Sequence, residues 1–168
     1  MSKAYLGLGS NVNAEFHITA AVRALREAFS ECHLSPIYRS RAVGFEGNDF
    51  INLAAVVETD LDALELRDWL RRMEDRFGRD RAQPRYSDRT LDIDILLMDD
   101  QVIKTELLVL PRAEILKFAH VLKPLADLAP DLVHPTEHRA LKDIWESSGM
   151  DASVLEVIDM ELGGGGQP

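Results

Sequence analysis

The segment LDIDILLM at positions 91–98 constrains the fold of this chain most strongly, because it is typical of a strand whose two faces differ. Side chains of a strand alternate between its faces, so Asp92 and Asp94 are predicted side by side, with Ile93 and Ile95 opposite them in the core. An aspartate pair in a buried strand is costly unless its charge is compensated. Carboxylate oxygens suit a hard cation such as Mg²⁺, so the pair is a candidate metal site.

A cationic segment stands directly before this strand. It holds Arg79, Arg81, Arg85 and Arg89, although the whole chain carries a formal net charge of −10. Arginine binds phosphate oxygens through bidentate, charge-assisted hydrogen bonds. Surface charges of this kind commonly form weak ion pairs and nothing more, but aspartates that interrupt an apolar run favour a functional site. The combination predicts a metal–polyphosphate site, and hence phosphoryl or pyrophosphoryl transfer.

Composition restricts the remaining possibilities. The 168 residues fit one domain, predicted at positions 1–162, followed by a flexible glycine-rich tail at 163–168. No apolar run reaches the length of a membrane span, and the first residues lack the apolar core of a signal peptide. The single cysteine, Cys32, excludes an internal disulfide and fits the reducing cytoplasm. The acidic charge disfavours nucleic acid as a partner, so we expect small-molecule ligands and no membrane.

The order of the predicted elements indicates an α+β fold. Strands are predicted at 3–9, 34–41 and 50–59, followed by the strand that carries the aspartates. The first helix follows apolar residues at helical spacing from Ile18 to Cys32, and the second opens at the capping-box pattern Asp62-x-x-Glu65. This β-α-β-β-α-β order is that of a ferredoxin-like sandwich. A hairpin at 101–110, a largely helical stretch at 113–129 and short closing elements are added after it.

Short motifs along the chain resemble one known family. They are YLGLGSN near the start, YRS at 38–40, F-x-N at 50–52, E-x3-G-R at 74–79, DRTLDIDILL at 88–97, LP at 110–111, VLKPLADLAP at 121–130 and HP at 134–135. In this order and spacing the chain is similar to the 6-hydroxymethyl-7,8-dihydropterin pyrophosphokinases of folate biosynthesis, over roughly residues 4 to 135. The DRTLDIDILL segment is the most specific of these motifs.

The resemblance implies an enzyme that transfers the pyrophosphoryl group of ATP to the hydroxymethyl oxygen of the reduced pterin and releases AMP. It implies two Mg²⁺ ions held between Asp92, Asp94 and the triphosphate, and a monomeric protein. Catalysis is assigned to these two aspartates together with Arg81 and Arg89.

The resemblance also distributes further residues between two binding sites. ATP binding is assigned to Arg79, Arg81, Arg89, Glu74, Ile95 and Arg112, with Glu74 supporting the phosphate-binding segment from the second helix. Pterin binding is assigned to Ser40, Val43, Phe50, Asn52, Tyr86 and His120. Tyr86 stands where the family often has tryptophan, and its ring could cover the pocket.

Four positions in three places depart from the family pattern. Arg112 replaces a histidine after the LP motif, Phe118 and His120 replace an arginine and a phenylalanine, and Arg41 replaces a proline. The family phenylalanine stacks on the pterin, so His120 is expected to stack in its place. These changes leave open a paralogue that acts on a side-chain-modified dihydropterin, or a catalytically weakened binding module. RNA binding is disfavoured by the acidity of the chain.

Overall fold

The structure is a computed structural model that describes residues 1–41, 47–78 and 90–162. Its strands are β1 (Ser2–Ser10), β2 (Cys32–Leu34), β3 (Ile37–Ser40), β4 (Phe50–Thr59), β5 (Asp92–Met98), β6 (Ile103–Lys104), β7 (Val109–Leu110) and β8 (Glu156–Ile158). Its α-helices are α1 (Ala14–Ala28), α2 (Ala63–Arg76), α3 (Ala119–Leu128) and α4 (Leu141–Ser147), with short 3₁₀ turns at Ala113–Leu116 and Ala152–Val154.

The main sheet is antiparallel and runs in the order β5-β1-β4-β3-β8. Strands β2 and β3 pair with successive parts of β4, so they form one edge interrupted between Leu34 and Ile37. Pro36 lies in this interruption and has no N–H to donate. The hydroxyl of Ser35 accepts a hydrogen bond from the Ala54 N–H at 2.8 Å, which satisfies β4 at the break.

Helices cover both faces of the sheet. On one face, α1 and α2 pack over a core that includes Leu6, Leu8 and Leu53. On the other face, α3 and α4 pack over Tyr5 and Ala54. Two hydrophobic cores on either side of an antiparallel sheet confirm the predicted α+β class, with the C-terminal hairpin β6-β7 and the added helices.

A β-bulge in β5, close to the aspartates, changes which face of the sheet the following side chains occupy. Leu6 pairs with Ile95 and Tyr5 pairs with Leu97, so Leu96 is the extra residue of the bulge. Ile95 consequently lies in the core under α1 and α2, whereas Leu96 and Leu97 both lie in the core under α3 and α4. The bulge separates the carboxylate-bearing start of β5 from its fully buried end.

Helix α2 begins and ends as the sequence predicts. The Asp62 side chain accepts from the Glu65 N–H at 2.8 Å, and the Glu65 side chain accepts from the Asp62 N–H at 2.9 Å. These reciprocal bonds satisfy donors at the helix start. Gly78 follows the helix with φ of 83°, a left-handed conformation that favours glycine.

One sequence expectation is wrong in detail. The first helix ends at Ala28, and Cys32 lies in β2 instead of on the helix. The stretch at 113–129 is largely helical as predicted, with a 3₁₀ turn and α3 separated at Lys117 and Phe118. Within the described residues, none of the helices is both long and apolar enough to span a membrane. The tail at 163–168 lies outside the described residues.

Candidate active site

The predicted carboxylate pair lies at the start of β5, an outer strand of the sheet. Asp92 and Asp94 alternate with the buried Ile93 and Ile95, so both carboxylates project on the face that α3 and α4 cover. Burial and the charge of Asp92 raise the pKa of Asp94 to about 7, although the guanidinium of Arg112 opposes that shift. The two carboxylates therefore repel one another, although the Asp94 side chain is 38% exposed.

Arg112 connects this pair to the 3₁₀ turn that follows β7. Its Nη1 lies 3.7 Å from Oδ1 of Asp94, and its Nη2 donates to Oε2 of Glu114 at 2.9 Å. Its backbone N–H donates to the Leu96 carbonyl at 2.9 Å, which holds the residue against β5. Burial acts to lower the pKa of Arg112, but Asp94 and Glu114 outweigh it and raise that pKa. The guanidinium is firmly charged and fixed beside the carboxylate pair.

Glu74 brings a further carboxylate from α2 and is 4% exposed. Its Oε2 accepts from the Ile93 N–H at 2.9 Å. Because β5 is an outer strand, this bond satisfies a backbone donor that no further strand in the described part of the chain reaches. Glu74 thus fixes the backbone of β5 at Ile93, the residue between Asp92 and Asp94.

A cavity of about 230 Å³ brings these residues together. It is lined by Glu74, Asp92, Ile93, Asp94, Ile95, Arg112, Leu70, Leu107, Leu108, Arg67 and Arg71. Sequence reasoning missed Arg67 and Arg71, two cations one helical turn apart on α2. Arg67 precedes Arg71 by four residues, and Arg71 precedes Glu74 by three, so all three side chains lie on one face of α2. This helical spacing is the sequence signal that could have identified the two arginines.

A neutral polar patch lies on the same face of the sheet, two strands away. Asn52 of β4 accepts at Oδ1 a hydrogen bond from the Ser40 hydroxyl of β3 at 3.1 Å. Phe50 pairs directly with Ser40 and shares the face of Asn52. Three residues assigned to the pterin by resemblance are therefore brought together by the register of β3 and β4.

Gly9 of β1 stands between the charged and neutral groups. It pairs with Asp92 on one side and with Asn52 on the other. Adjacent strands are roughly 4.8 Å apart, so the backbones that carry the carboxylate and the amide are about 10 Å apart. Gly9 between them carries no side chain, and the Asn52 amide lies over its buried Cα.

His120 lies at the start of α3, near the carboxylate pair. Its ring stacks on Phe118 with centroids 5.2 Å apart and 25° between the planes. Burial lowers the pKa of His120, and the charge of Asp92 opposes that shift. The helix is fixed to the sheet because the Tyr38 hydroxyl donates to Asp127, a residue that also accepts from Lys123 at 2.9 Å.

The GSN part of the first motif joins two chain segments beside the site. The buried Ser10 hydroxyl donates to the Thr90 carbonyl at 2.5 Å, immediately before β5. The side chain of Asn11 donates to the Asn48 carbonyl at 3.1 Å, and the Asn48 side chain donates back to the Asn11 carbonyl at 3.2 Å. These bonds fix the end of β1 to the chain that enters β4 and β5.

Several predicted site residues lie outside the described parts of the chain: Val43, Arg79, Arg81, Tyr86 and Arg89. Their assignments stay predictions. Among the described residues, no group of three or more histidine, cysteine, aspartate or glutamate side chains is arranged to hold a metal ion. Any metal at Asp92 and Asp94 therefore needs further ligands from a bound substrate, from water or from elsewhere in the chain.

Comparison with known proteins identifies the chain first as a transferase of the kinase type. The family model for 7,8-dihydro-6-hydroxymethylpterin-pyrophosphokinase (HPPK) matches residues 5–130. The chain belongs to the HPPK family, and the resemblance predicted from its motifs is confirmed.

Relatives in bacteria support this assignment over most of their length. The 2-amino-4-hydroxy-6-hydroxymethyldihydropteridine pyrophosphokinase of Haemophilus influenzae is 39% identical over 140 residues, covering 80% of this chain and 86% of the relative. The enzyme of the same name from Aquifex aeolicus is 35% identical over 145 residues, covering 85% and 90%.

A solved structure shares the fold. The crystal structure of a Plasmodium falciparum HPPK-DHPS triple mutant with SDX-DHP has a TM-score of 0.70 at 15% identity. The match covers 86% of this chain and 44% of the Plasmodium chain, so the present chain spans less than half of that protein.

Proposed function

We propose that this protein transfers the pyrophosphoryl group of ATP to 6-hydroxymethyl-7,8-dihydropterin in folate biosynthesis. The hydroxymethyl oxygen bonds to the β-phosphorus of ATP, the bond between that phosphorus and the α–β bridging oxygen breaks, and AMP leaves with that oxygen. The hydroxyl proton passes to solvent. The observation that carries the proposal is the placement of Asp92 and Asn52 on either side of Gly9.

The charged half of the site suits the nucleotide. Arg112 supplies a fixed guanidinium, and Arg67 and Arg71 line the same cavity, so cationic donors are available to phosphate oxygens. Asp92 and Asp94 would hold Mg²⁺, because a carboxylate pair whose repulsion raises a pKa is relieved by a cation. Protein sites commonly bind Mg²⁺ through one or two carboxylates plus substrate phosphates, which fits this donor set. Bound magnesium would neutralise charge on the triphosphate.

The neutral half suits the acceptor. A reduced pterin is a flat heterocycle with donors and acceptors along its edge, and the Asn52 amide offers both. Phe50 and the His120 ring supply flat surfaces near this amide and near the carboxylates, respectively. By resemblance, Val43 and Tyr86 complete this half, and Arg79, Arg81 and Arg89 complete the phosphate side. Arg81 and Arg89 are proposed to act on the transferred group.

We propose four further properties on the same basis. The strand order β5-β1-β4-β3, antiparallel throughout, supports the ferredoxin-like arrangement expected from the sequence. Residues 1–162 are proposed to form one domain, because helices on both faces pack on one sheet. Family resemblance favours a cytoplasmic monomer.

The test is AMP formation from ATP and Mg²⁺ with and without 6-hydroxymethyl-7,8-dihydropterin. We expect AMP in amounts equal to the pterin diphosphate formed, and none without the pterin. Formation of ADP, or AMP release that does not depend on the acceptor, would contradict the proposal.

A second acceptor class is tested in the same assay. The stacked Phe118–His120 pair occupies positions where the family has arginine and phenylalanine, so the wall of the acceptor site is altered. This observation favours a dihydropterin with a longer polar side chain as an alternative substrate. A higher kcat/KM for such a compound than for the hydroxymethyl form would establish the paralogue, and the reverse would exclude it.

A further inference from the structure

The backbone conformation of Gly9 does not require a glycine. It lies inside β1, and it is not among the glycines with positive φ in the described residues, which are Gly78 and Gly149. An alanine could therefore adopt its backbone conformation without strain. What excludes a side chain is space, because a Cβ on Gly9 would lie 2.8 Å from Nδ2 of Asn52.

The Asn52 amide is held from its other end as well. Its Oδ1 accepts from the Ser40 hydroxyl at 3.1 Å, so the oxygen lies toward β3 and the NH₂ group lies over Gly9. A Cβ at position 9 would force the amide to rotate and would break the bond to Ser40. The Asn52 amide is thus held between the Ser40 hydroxyl and the Cα of Gly9.

We propose that Gly9 is a positioning residue for the acceptor substrate. Its missing side chain lets the Asn52 amide lie across β1 with the NH₂ donors turned toward β5 and Asp92. The donors then meet an acceptor atom on the ring edge of the pterin. This inference rests on the proposed function for its substrate, but its geometric part concerns Gly9 and Asn52 alone.

Gly7 provides a matched control on the same strand. A Cβ there would meet the methyl groups of Leu96 at 3.2 and 3.3 Å. Those atoms are the end of a flexible side chain in the core under α3 and α4, and they belong to neither half of the site. Gly7→Ala adds the same methyl group to the same strand without touching Asn52.

The functional test is a double-mutant cycle on the KM for the pterin. We expect Gly9→Ala to raise this KM about tenfold or more, as for a lost hydrogen bond in a binding site, with the KM for ATP within about twofold. Gly7→Ala should leave the pterin KM within about twofold. In the Asn52→Ala background, Gly9→Ala should have no further effect, because the group that it displaces is absent. An equal effect of Gly9→Ala in both backgrounds would overturn the inference.

The geometric test needs no activity. In ¹⁵N NMR spectra of the free protein, Gly9→Ala should shift the side-chain NH₂ resonances of Asn52, and Gly7→Ala should leave them in place. Unshifted Asn52 resonances in Gly9→Ala would refute the positioning role even if the enzyme is active. Shifted resonances in a protein that makes no AMP from any pterin would support the positioning and reject the proposed function.

A folding failure would also be informative. If Gly9→Ala does not fold, the variant Gly9→Ala/Asn52→Ala should recover folding, since the contact at 2.8 Å is then removed. Absence of recovery, measured by circular dichroism, would show that Gly9 is required for some other reason.

Discussion

The carboxylate pair and the Asn52 amide lie on one sheet face, but the two halves of the site are held by different forces. Around Asp92 and Asp94 the groups are ionisable: the pKa of Asp94 is raised, the Arg112 guanidinium is partly buried, and the Glu74 carboxyl is buried. Around Asn52 the groups are neutral, and a hydroxyl–amide bond fixes their orientation. The first half brings like charges close together, whereas the second is joined by a hydrogen bond in the free protein.

This difference predicts what a substitution in each half of the site will change. An ionic site that needs a ligand loses catalysis when a charge is removed, and the free protein gains stability. A satisfied neutral site loses affinity for its ligand when the amide is removed, and turnover at saturation persists.

The largest expected effect is on turnover by Asp94→Asn. Loss of this carboxylate should lower kcat by roughly a thousandfold, because the Mg²⁺ that it would hold could no longer neutralise charge on the triphosphate. Quenched-flow measurement of AMP at saturating ATP, Mg²⁺ and pterin checks this. A kcat within tenfold of the parent would remove Asp94 from the reaction.

The same variant should be more stable than the parent in metal-free buffer. The folded pKa of Asp94 is about 7, above its ordinary value of 3.8, so the folded state binds this proton more tightly. Stability from this residue therefore falls as pH rises from about 3.8 to 7 and stays low above that. We expect Asp94→Asn to raise Tm at pH 8 and to change it least at pH 4. A lower Tm at pH 8 would contradict the assigned repulsion.

Asn52→Ala should act mainly on the acceptor. We expect the KM for the pterin to rise about tenfold to a hundredfold, because a hydrogen-bonding group in the binding site is lost. The KM for ATP should stay within about twofold. Steady-state kinetics with each substrate varied in turn measures the KM for the pterin and the KM for ATP separately. Equal rises in both KM values would contradict the division of the site into two halves.

Arg112→Ala should weaken binding of the nucleotide about tenfold, through loss of a charge-assisted bond. Because Arg112 opposes the raised pKa of Asp94, its removal should raise that pKa further. Calorimetric titration with a non-hydrolysable ATP analogue and ¹³C NMR titration of the Asp94 carboxyl measure the two effects. Arg112→Lys, which keeps charge but not the planar fork, should be intermediate in affinity. An unchanged pKa would refute the contact.

The smallest expected effect is on stability by Ser10→Ala. This change leaves the Thr90 carbonyl without its buried donor, which costs roughly 1–3 kcal/mol in the free energy of unfolding. Urea denaturation measures it. The matched control is Ser153→Ala, whose hydroxyl bonds to Asp151 at an exposed position and should change stability by less than about 0.5 kcal/mol. Equal costs would show that Ser10 does not anchor the start of β5.

Local patterns made much of the fold predictable. Strand β4 occupies the predicted residues 50–59, and the alternation around Asp92 and Asp94 holds because a strand has a fixed period of two. The capping box at Asp62 and Glu65 was readable because it is a contact between residues three apart. Cys32 was misplaced because it keeps helical spacing beyond the end of α1.

Contacts between distant residues could not be predicted. The bond from the Ile93 N–H to Glu74 depends on how α2 packs beside β5. The meeting of Gly9 and Asn52 depends on the register of β1 and β4, which no local pattern fixes. The bulge at Leu96 likewise appears only once β1 is paired. The motif containing Gly9 was recognised, but its spatial reason was not.

The most direct test of the account is rescue by substrate concentration in Asp94→Asn and Asn52→Ala. We predict that raising the pterin concentration restores most of the parental rate to Asn52→Ala, and that no concentration of ATP, Mg²⁺ or pterin restores it to Asp94→Asn. Restoration of Asp94→Asn by substrate, or a saturating rate of Asn52→Ala as low as that of Asp94→Asn, would contradict the division of the site into a catalytic ionic half and a neutral acceptor half.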